Sequence, residues 1–252
     1  MQIDLSNTSV LVTGASRGIG RAIAGEMMRS GAAVCVHYHR DREAAESLAR
    51  EFGGRAEVLQ ADLSDAGECA RLFERAVGAL GGVDVLVNNA GVAVSSPLDE
   101  PLDSCAHAWT FTLAVNLVAA GILSREAIRH FQSRGGGRII HVASRAAFRG
   151  DTPEYLAYAA SKGGMVALSR SIARGCGRIG VKSFVIAPGF TRTEMAQEFI
   201  DQYGEETAMK DVALDRMTEP GDIAPLAVFL ASGLADHATG TSIDVNAGSY
   251  VR

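Results

Sequence analysis

Residues 9–20 read Ser9-Val10-Leu11-Val12-Thr13-Gly14-Ala15-Ser16-Arg17-Gly18-Ile19-Gly20. A short β-branched run (9–13) ends at a glycine. A helical pattern begins at residue 18, with Ile19, Ile23, Ala24 and Met27 on one side. The stretch therefore reads as strand, loop, helix. Gly14 permits a sharp turn, Gly18 lets backbone approach a pyrophosphate, and Gly20 allows helix and strand to pack closely. The free N–H groups and positive dipole end of the helix favour an anion there, with Ser16, Arg17 and Ile19 completing the loop. Three residues, not one, separate the first two glycines. That departs from the usual dinucleotide fingerprint, so the loop takes its meaning from its place in a βαβ unit.

The same alternation continues along the chain. Strands are expected at 33–38, 56–60, 83–87, 138–143, 181–186 and 242–245. Helices are expected at 18–30, 42–52, 65–79, about 104–134, 155–178 and 222–232. Residues 193–216 read as polar and irregular, with short mobile helices. Strands separated by helices imply an α/β fold with a parallel sheet, and strands apolar on both sides imply helices on both faces. No linker or repeat divides residues 1–252, so one domain is expected. Ligands of such sheets bind beyond the carboxyl ends of the strands. The segments of interest are thus 13–20, 38–40, 62–63, 88–91, 144 and 188–193.

Composition narrows the function classes. The chain has 252 residues, 47% hydrophobic and 21% charged, with 28 glycines and 6 prolines. This excludes disordered and collagen-like classes. With 24 basic and 29 acidic residues the net charge is −5, the wrong sign for a nucleic-acid partner. Cys35, Cys69, Cys105 and Cys176 form no CxxC pair, so reduced thiols in a cytoplasmic protein are expected, with no metal site. The first residues, MQIDLSNTSV, lack the order of a signal peptide. Residues 104–124 hold no Asp, Glu, Lys or Arg and are long enough to span a bilayer. Ser104, His107, Thr110, Thr112, Asn116 and Ser124 interrupt them, so a buried helix at a subunit interface is expected rather than a membrane span.

The end of the second strand bears on cofactor choice. An acid there would hold an adenosine ribose 2′-hydroxyl and repel a 2′-phosphate. The residues are His37-Tyr38-His39-Arg40, with no acid before Asp41. Arg17 and Arg40, beside His39, would clamp a 2′-phosphate through charge-assisted bonds of about 1.5–3 kcal/mol each. NADP(H) is expected over NAD(H), the alternative being a merely solvated Arg40. His37-x-His39 alone makes a poor metal site.

Tyr158-Ala159-Ala160-Ser161-Lys162 lies on a predicted helix, where a spacing of four puts Tyr158 and Lys162 on one face. A nearby ammonium lowers a phenol from its usual pKa of about 10. Tyr158 could then exchange a proton with a substrate oxygen near neutral pH. The alternative is a plain surface pair. Ser144 weighs against it, because it directly follows the fifth strand and the loop 145–157 can bring it to Tyr158. Tyr155 is the poorer partner for Lys162 and a candidate to line the substrate pocket.

Thr13–Gly20, Asn88-Asn89-Ala90-Gly91, Asn116, Ser144, Tyr158-x-x-x-Lys162 and Pro188-Gly189 stand in an order and spacing that resembles the classical short-chain dehydrogenases/reductases over essentially the whole chain. The resemblance implies a single-domain Rossmann fold, a doubly wound seven-stranded parallel sheet. Tyr158 would be the general acid in the reducing direction. Lys162 would lower its pKa and bond the nicotinamide ribose, Ser144 would hold the substrate oxygen, and Asn116 would anchor a water in a proton relay. Asp62 and Leu63 resemble an adenine-contacting pair. Asn88, Ala90 and Gly91 would support the sheet and lie against the cofactor, as would Pro188 and Gly189. Thr193 would meet the nicotinamide amide, with Thr191 beside it.

The implied function is NADP(H)-dependent hydride transfer with a carbonyl or secondary alcohol. The implied substrates include 3-oxoacyl thioesters on acyl carrier protein, small ketones, sugars or polyols, steroids and quinones. A noncatalytic nucleotide sensor is the alternative of another class. Arg134, Arg174 and Arg178 are candidates to meet an acidic carrier protein, or are simply solvated. The segment 193–216 would close over the substrate. A homotetramer would form through about 104–133, 155–178 and 241–252. Three positions depart from the common pattern: Ala143 for a serine, Phe184 for an asparagine and Ala247 for a glycine.

Overall fold

The first strand, β1 (Ser9–Val12), carries Val10, Leu11 and Val12 at zero exposure. This computed structural model describes residues 3–252, apart from the side chains at 195, 198, 199, 202 and 203. Alternate β1 side chains point to opposite faces. Val10 and Val12 join one core cluster and Leu11 the other. The remaining strands are β2 (Ala33–Tyr38), β3 (Ala56–Gln60), β4 (Val85–Asn88), β5 (Gly137–Val142), β6 (Val181–Pro188) and β7 (Ser242–Val245). They form one seven-stranded sheet of order β3-β2-β1-β4-β5-β6-β7. Every pairing is parallel. The order reverses between β1 and β4, and a crevice opens there beyond the carboxyl ends. Strand β4 starts two residues later than expected, because Asp84 turns aside to accept from Ser9 N–H at 2.9 Å.

The helices are α1 (Gly18–Arg29), α2 (Arg42–Phe52), α3 (Ala66–Leu80), α4 (Leu102–Leu113), α5 (Ala119–Arg134), α6 (Ala146–Arg149), α7 (Leu156–Cys176), α8 (Glu194–Tyr203), α9 (Glu205–Met209) and α10 (Pro220–Ala231). On one face Ile23 and Met27 of α1, Leu48 of α2 and Leu230 of α10 pack on the sheet. On the other, Leu72 and Phe73 of α3 meet Leu123 and Phe131 of α5. The fold is the doubly wound Rossmann arrangement.

Of the expectations for the helices, one holds and one needs correction. The short helices expected within 193–216 are α8 and α9, and Thr193 caps α8 by accepting from Ala196 N at 3.3 Å. Leu102–Arg134 is long and apolar enough to cross a membrane, yet only 33% of its most apolar window is buried. One face packs on the fold and the other stays open, so it is not a wholly buried helix. The joint between α4 and α5 is a π-turn over Ala114–Val118. Of the departures noted above, Phe184 fills the core at zero exposure. Ala247, at φ +51°, is the one non-glycine of positive φ among the described residues.

Candidate active site

The carboxyl ends of β1, β2, β4 and β5 border a cleft of about 620 Å³, of a size that holds a small ligand or cofactor. Gly14 adopts φ +61°, and a Cβ there would lie 2.9 Å from Ala90 Cα. A Cβ on Gly20 would fall 2.2 Å from Gly14 O, so the helix can press against the loop only if residue 20 is glycine. Asn89 Nδ2 donates to Thr13 O at 2.9 Å and Gly14 O at 3.1 Å, closing the loop from the β4 side.

His37 closes it from the β2 side. Its Nδ1 accepts from Gly14 N–H at 3.0 Å, and its Nε2 lies 3.2 Å from Ala61 O. Burial pushes the imidazole down to about 4. It is therefore neutral near pH 7, with Nε2–H donating to Ala61. From the sequence alone, His37 offers only half of a poor metal site. A polar residue inside an apolar strand was the available signal. No cluster of metal-ligating side chains occurs among the described residues.

Ser16, Arg17, Gly18, Ile19, His39, Arg40, Asp62 and Leu63 all line the cleft. Asp62 accepts from Ser64 N and Oγ, bonds that hold its carboxyl below the usual range, and its Oδ2 lies 3.7 Å from His39 Nε2. Arg40 is exposed, and its guanidinium has no ion-pair partner among the described residues. Arg17 differs from expectation. Its Nη1 pairs with Glu194 Oε2 at 2.5 Å, so the residue expected to wait for a phosphate is engaged by α8.

Tyr158 and Lys162 line the inner end with Ala90, Gly91, Val142 and Ala143. Lys162 Nζ donates to Val142 O at 2.9 Å and sits 5.8 Å from the Tyr158 ring centre. Burial lowers Lys162 to about 8. Desolvation raises the Tyr158 phenol, against the opposing effect of its hydrogen bond with Ser144. The expected lowering of Tyr158 by Lys162 is therefore not what this arrangement produces. The ammonium is directed at a carbonyl, and both groups lose water. Ser144 Oγ also accepts from Ala146 N at 3.1 Å.

Asn116 stands on the π-turn, fully buried. Its Oδ1 accepts from Val92 N at 2.8 Å, and its Nδ2 donates to Val92 O and Ser161 Oγ at 2.9 Å each. The carboxamide thus ties the segment after β4 to α7. Asn88 lies behind the cleft wall, with Nδ2 directed at Ser124 Oγ. Pro188 ends β6 and accepts from Arg145 N, Gly189 packs on Asn246, and Thr191 donates to Gly189 O. None of these three is among the residues that line the cleft. Thr193 does line the cleft, its methyl 3.3 Å from where a Gly18 Cβ would sit. Tyr155 is not among the lining residues. Val92, Phe111, Val115 and Glu194 line the cleft and were missed, since no local pattern marks them.

Arg134, Arg174 and Arg178 lie at the wrong end of the molecule for a pocket rim. Arg134 closes α5 just before β5 begins, and Arg178 lies three residues before the start of β6. Arg174 is three turns beyond Lys162 along α7, about 18 Å at 1.5 Å per residue.

A family model described as enoyl-(acyl carrier protein) reductase matches residues 14–250. The chain is 38% identical over 255 residues to L-rhamnose 1-dehydrogenase (NAD(P)(+)) of Azotobacter vinelandii, covering 98% of both. A crystal structure of a dehydrogenase/reductase from Sinorhizobium meliloti 1021 superposes with a TM-score of 0.92 at 35% identity, over 99% of this chain and 98% of that one. A blue fluorescent protein from a metagenomic library, in complex with NADPH, gives 0.89 at 32% identity, over 98% and 100%. With matches over nearly its whole length, the chain belongs to the classical short-chain dehydrogenases/reductases, oxidoreductases that act on an alcohol or carbonyl with NAD(P).

Proposed function

We propose that this protein is an NADP(H)-preferring carbonyl reductase or alcohol dehydrogenase in which Tyr158 is the general acid and base. The observation that carries this reading is that Tyr158 and Lys162 line the same cleft as the glycine loop, with Ser144 hydrogen-bonded to Tyr158 behind that lining. When bound, the nicotinamide supplies or accepts the hydride. Gly14, Gly18 and Gly20 would hold the pyrophosphate against the start of α1. Ser144 would orient the substrate oxygen, and Tyr158 would give it a proton in reduction and take one in oxidation. Lys162 would bond the nicotinamide ribose. Its depressed pKa fits it to pass a proton near neutral pH. Arg40, which lines the cleft without a salt bridge among the described residues, supports the NADP(H) preference.

The substrate is a carbonyl or secondary alcohol. Likeness to a rhamnose dehydrogenase puts sugars in the first rank, and the family description keeps acyl-carrier thioesters in view. Turnover on sugars, small ketones and a 3-oxoacyl carrier thioester, each with NADPH and NADH, decides among them. Tyr158→Phe is expected to lower kcat at least ~10²-fold while dinucleotide still binds. Full activity in that variant would remove the assignment.

A further inference from the structure

The cleft lining carries Arg17, Arg40 and His39 against Asp41, Asp62 and Glu194. Two of these acids are held by their own turns. Asp41 caps α2 by accepting from Ala44 N at 2.9 Å, and Asp62 accepts from Ser64. Glu194 arrives from elsewhere. It opens α8, and its carboxylate reaches across to Arg17 at 2.5 Å. The Thr193 methyl packs beside Gly18 and sets the start of α8 against the glycine loop. The two side chains are 65% and 66% exposed, so an incoming anion can reach both. Arg17 is the residue just before α1, where the NADP(H) reading places a 2′-phosphate.

We propose that Glu194 sets the cofactor selectivity of this enzyme by occupying Arg17 whenever no 2′-phosphate is present. A 2′-phosphate must take the guanidinium from the carboxylate and then lie near that carboxylate. A ribose with a free 2′-hydroxyl leaves the pair intact. The pair thus opposes NADP(H) and is neutral toward NAD(H), moving the enzyme toward use of both. The inference rests on the NADP(H) reading above. An exposed pair of this kind supports an effect of about 2- to 5-fold.

The test is titration of NADPH and NADH by reduced-nicotinamide fluorescence, with adenosine 2′,5′-bisphosphate and adenosine 5′-monophosphate as competitors. Glu194→Gln should tighten NADPH and the bisphosphate about 2- to 5-fold. NADH and the monophosphate should shift much less. Added salt should shrink the difference. In an Arg17→Gln background the Glu194→Gln effect should vanish. Equal tightening of both dinucleotides, no tightening, or an effect that persists without Arg17 would overturn the proposal. The NADP(H) reading fails by a different signature, namely wild-type protein that binds neither dinucleotide or binds only NADH.

Discussion

Removing the His37 imidazole leaves the Gly14 N–H without its acceptor at the tightest point of the glycine loop. A buried donor left unpaired costs about 1–3 kcal/mol. His37→Leu should lose that much stability in urea unfolding and bind NADPH and NADH several-fold more weakly. Unchanged binding would show that the loop holds its shape without the histidine. A pH effect follows from the same burial. His37 is held at about 4, and His141, fully buried, at about 3, both from 6.5. Between those values and 6.5 the unfolded chain binds more protons than the folded one. Their contribution is therefore complete above pH 6.5 and is lost as pH falls toward 4 for His37 and 3 for His141. Urea midpoints measured from pH 8 to 4 should decline on the acid side, less steeply in His37→Leu.

At the scale of elements, the π-turn between α4 and α5 gives Asn116 its position. A π-turn inserts an extra residue into a helix and re-aims a side chain, often at a functional site. Here it turns a carboxamide toward the segment after β4 and toward α7 at once. Asn116→Ala should strip partners from the Val92 N–H and C=O and from Ser161. The expected result is a loss of about 1–3 kcal/mol, with kcat falling more than KM for the dinucleotide. Steady-state kinetics beside thermal unfolding measure both. A loss of stability with kcat intact would limit Asn116 to the scaffold. Asparagine in an uncharged helix was legible in the sequence, but the π-turn was not, because it comes from packing rather than from residue spacing.

For the whole molecule, the open face of Leu102–Arg134 calls for a cover. Val118 is 50% exposed within the uncharged stretch from Ser104 to Ser124, and Leu102, two residues before that stretch, is 79% exposed. Exposed apolar faces of this length mark contact surfaces. We propose a homotetramer that uses this face. Gel filtration should give four times the chain mass, and Val118→Glu should give smaller species. A wild-type monomer would refute the assembly. The sequence by itself determined the order of strands and helices, the glycine loop and the Ser144, Tyr158 and Lys162 set. Periodicity and turn chemistry act within short windows, and so are written locally. Only the tertiary structure decided the rest. Gly14 and His37 are 23 residues apart, and Arg17 and Glu194 are 177 apart, yet each pair is in contact. It also placed Arg134, Arg174 and Arg178 away from the cleft and raised rather than lowered the Tyr158 phenol. Which long side chain finds which partner, and how much water a group loses, depends on segments brought together only when the sheet closes.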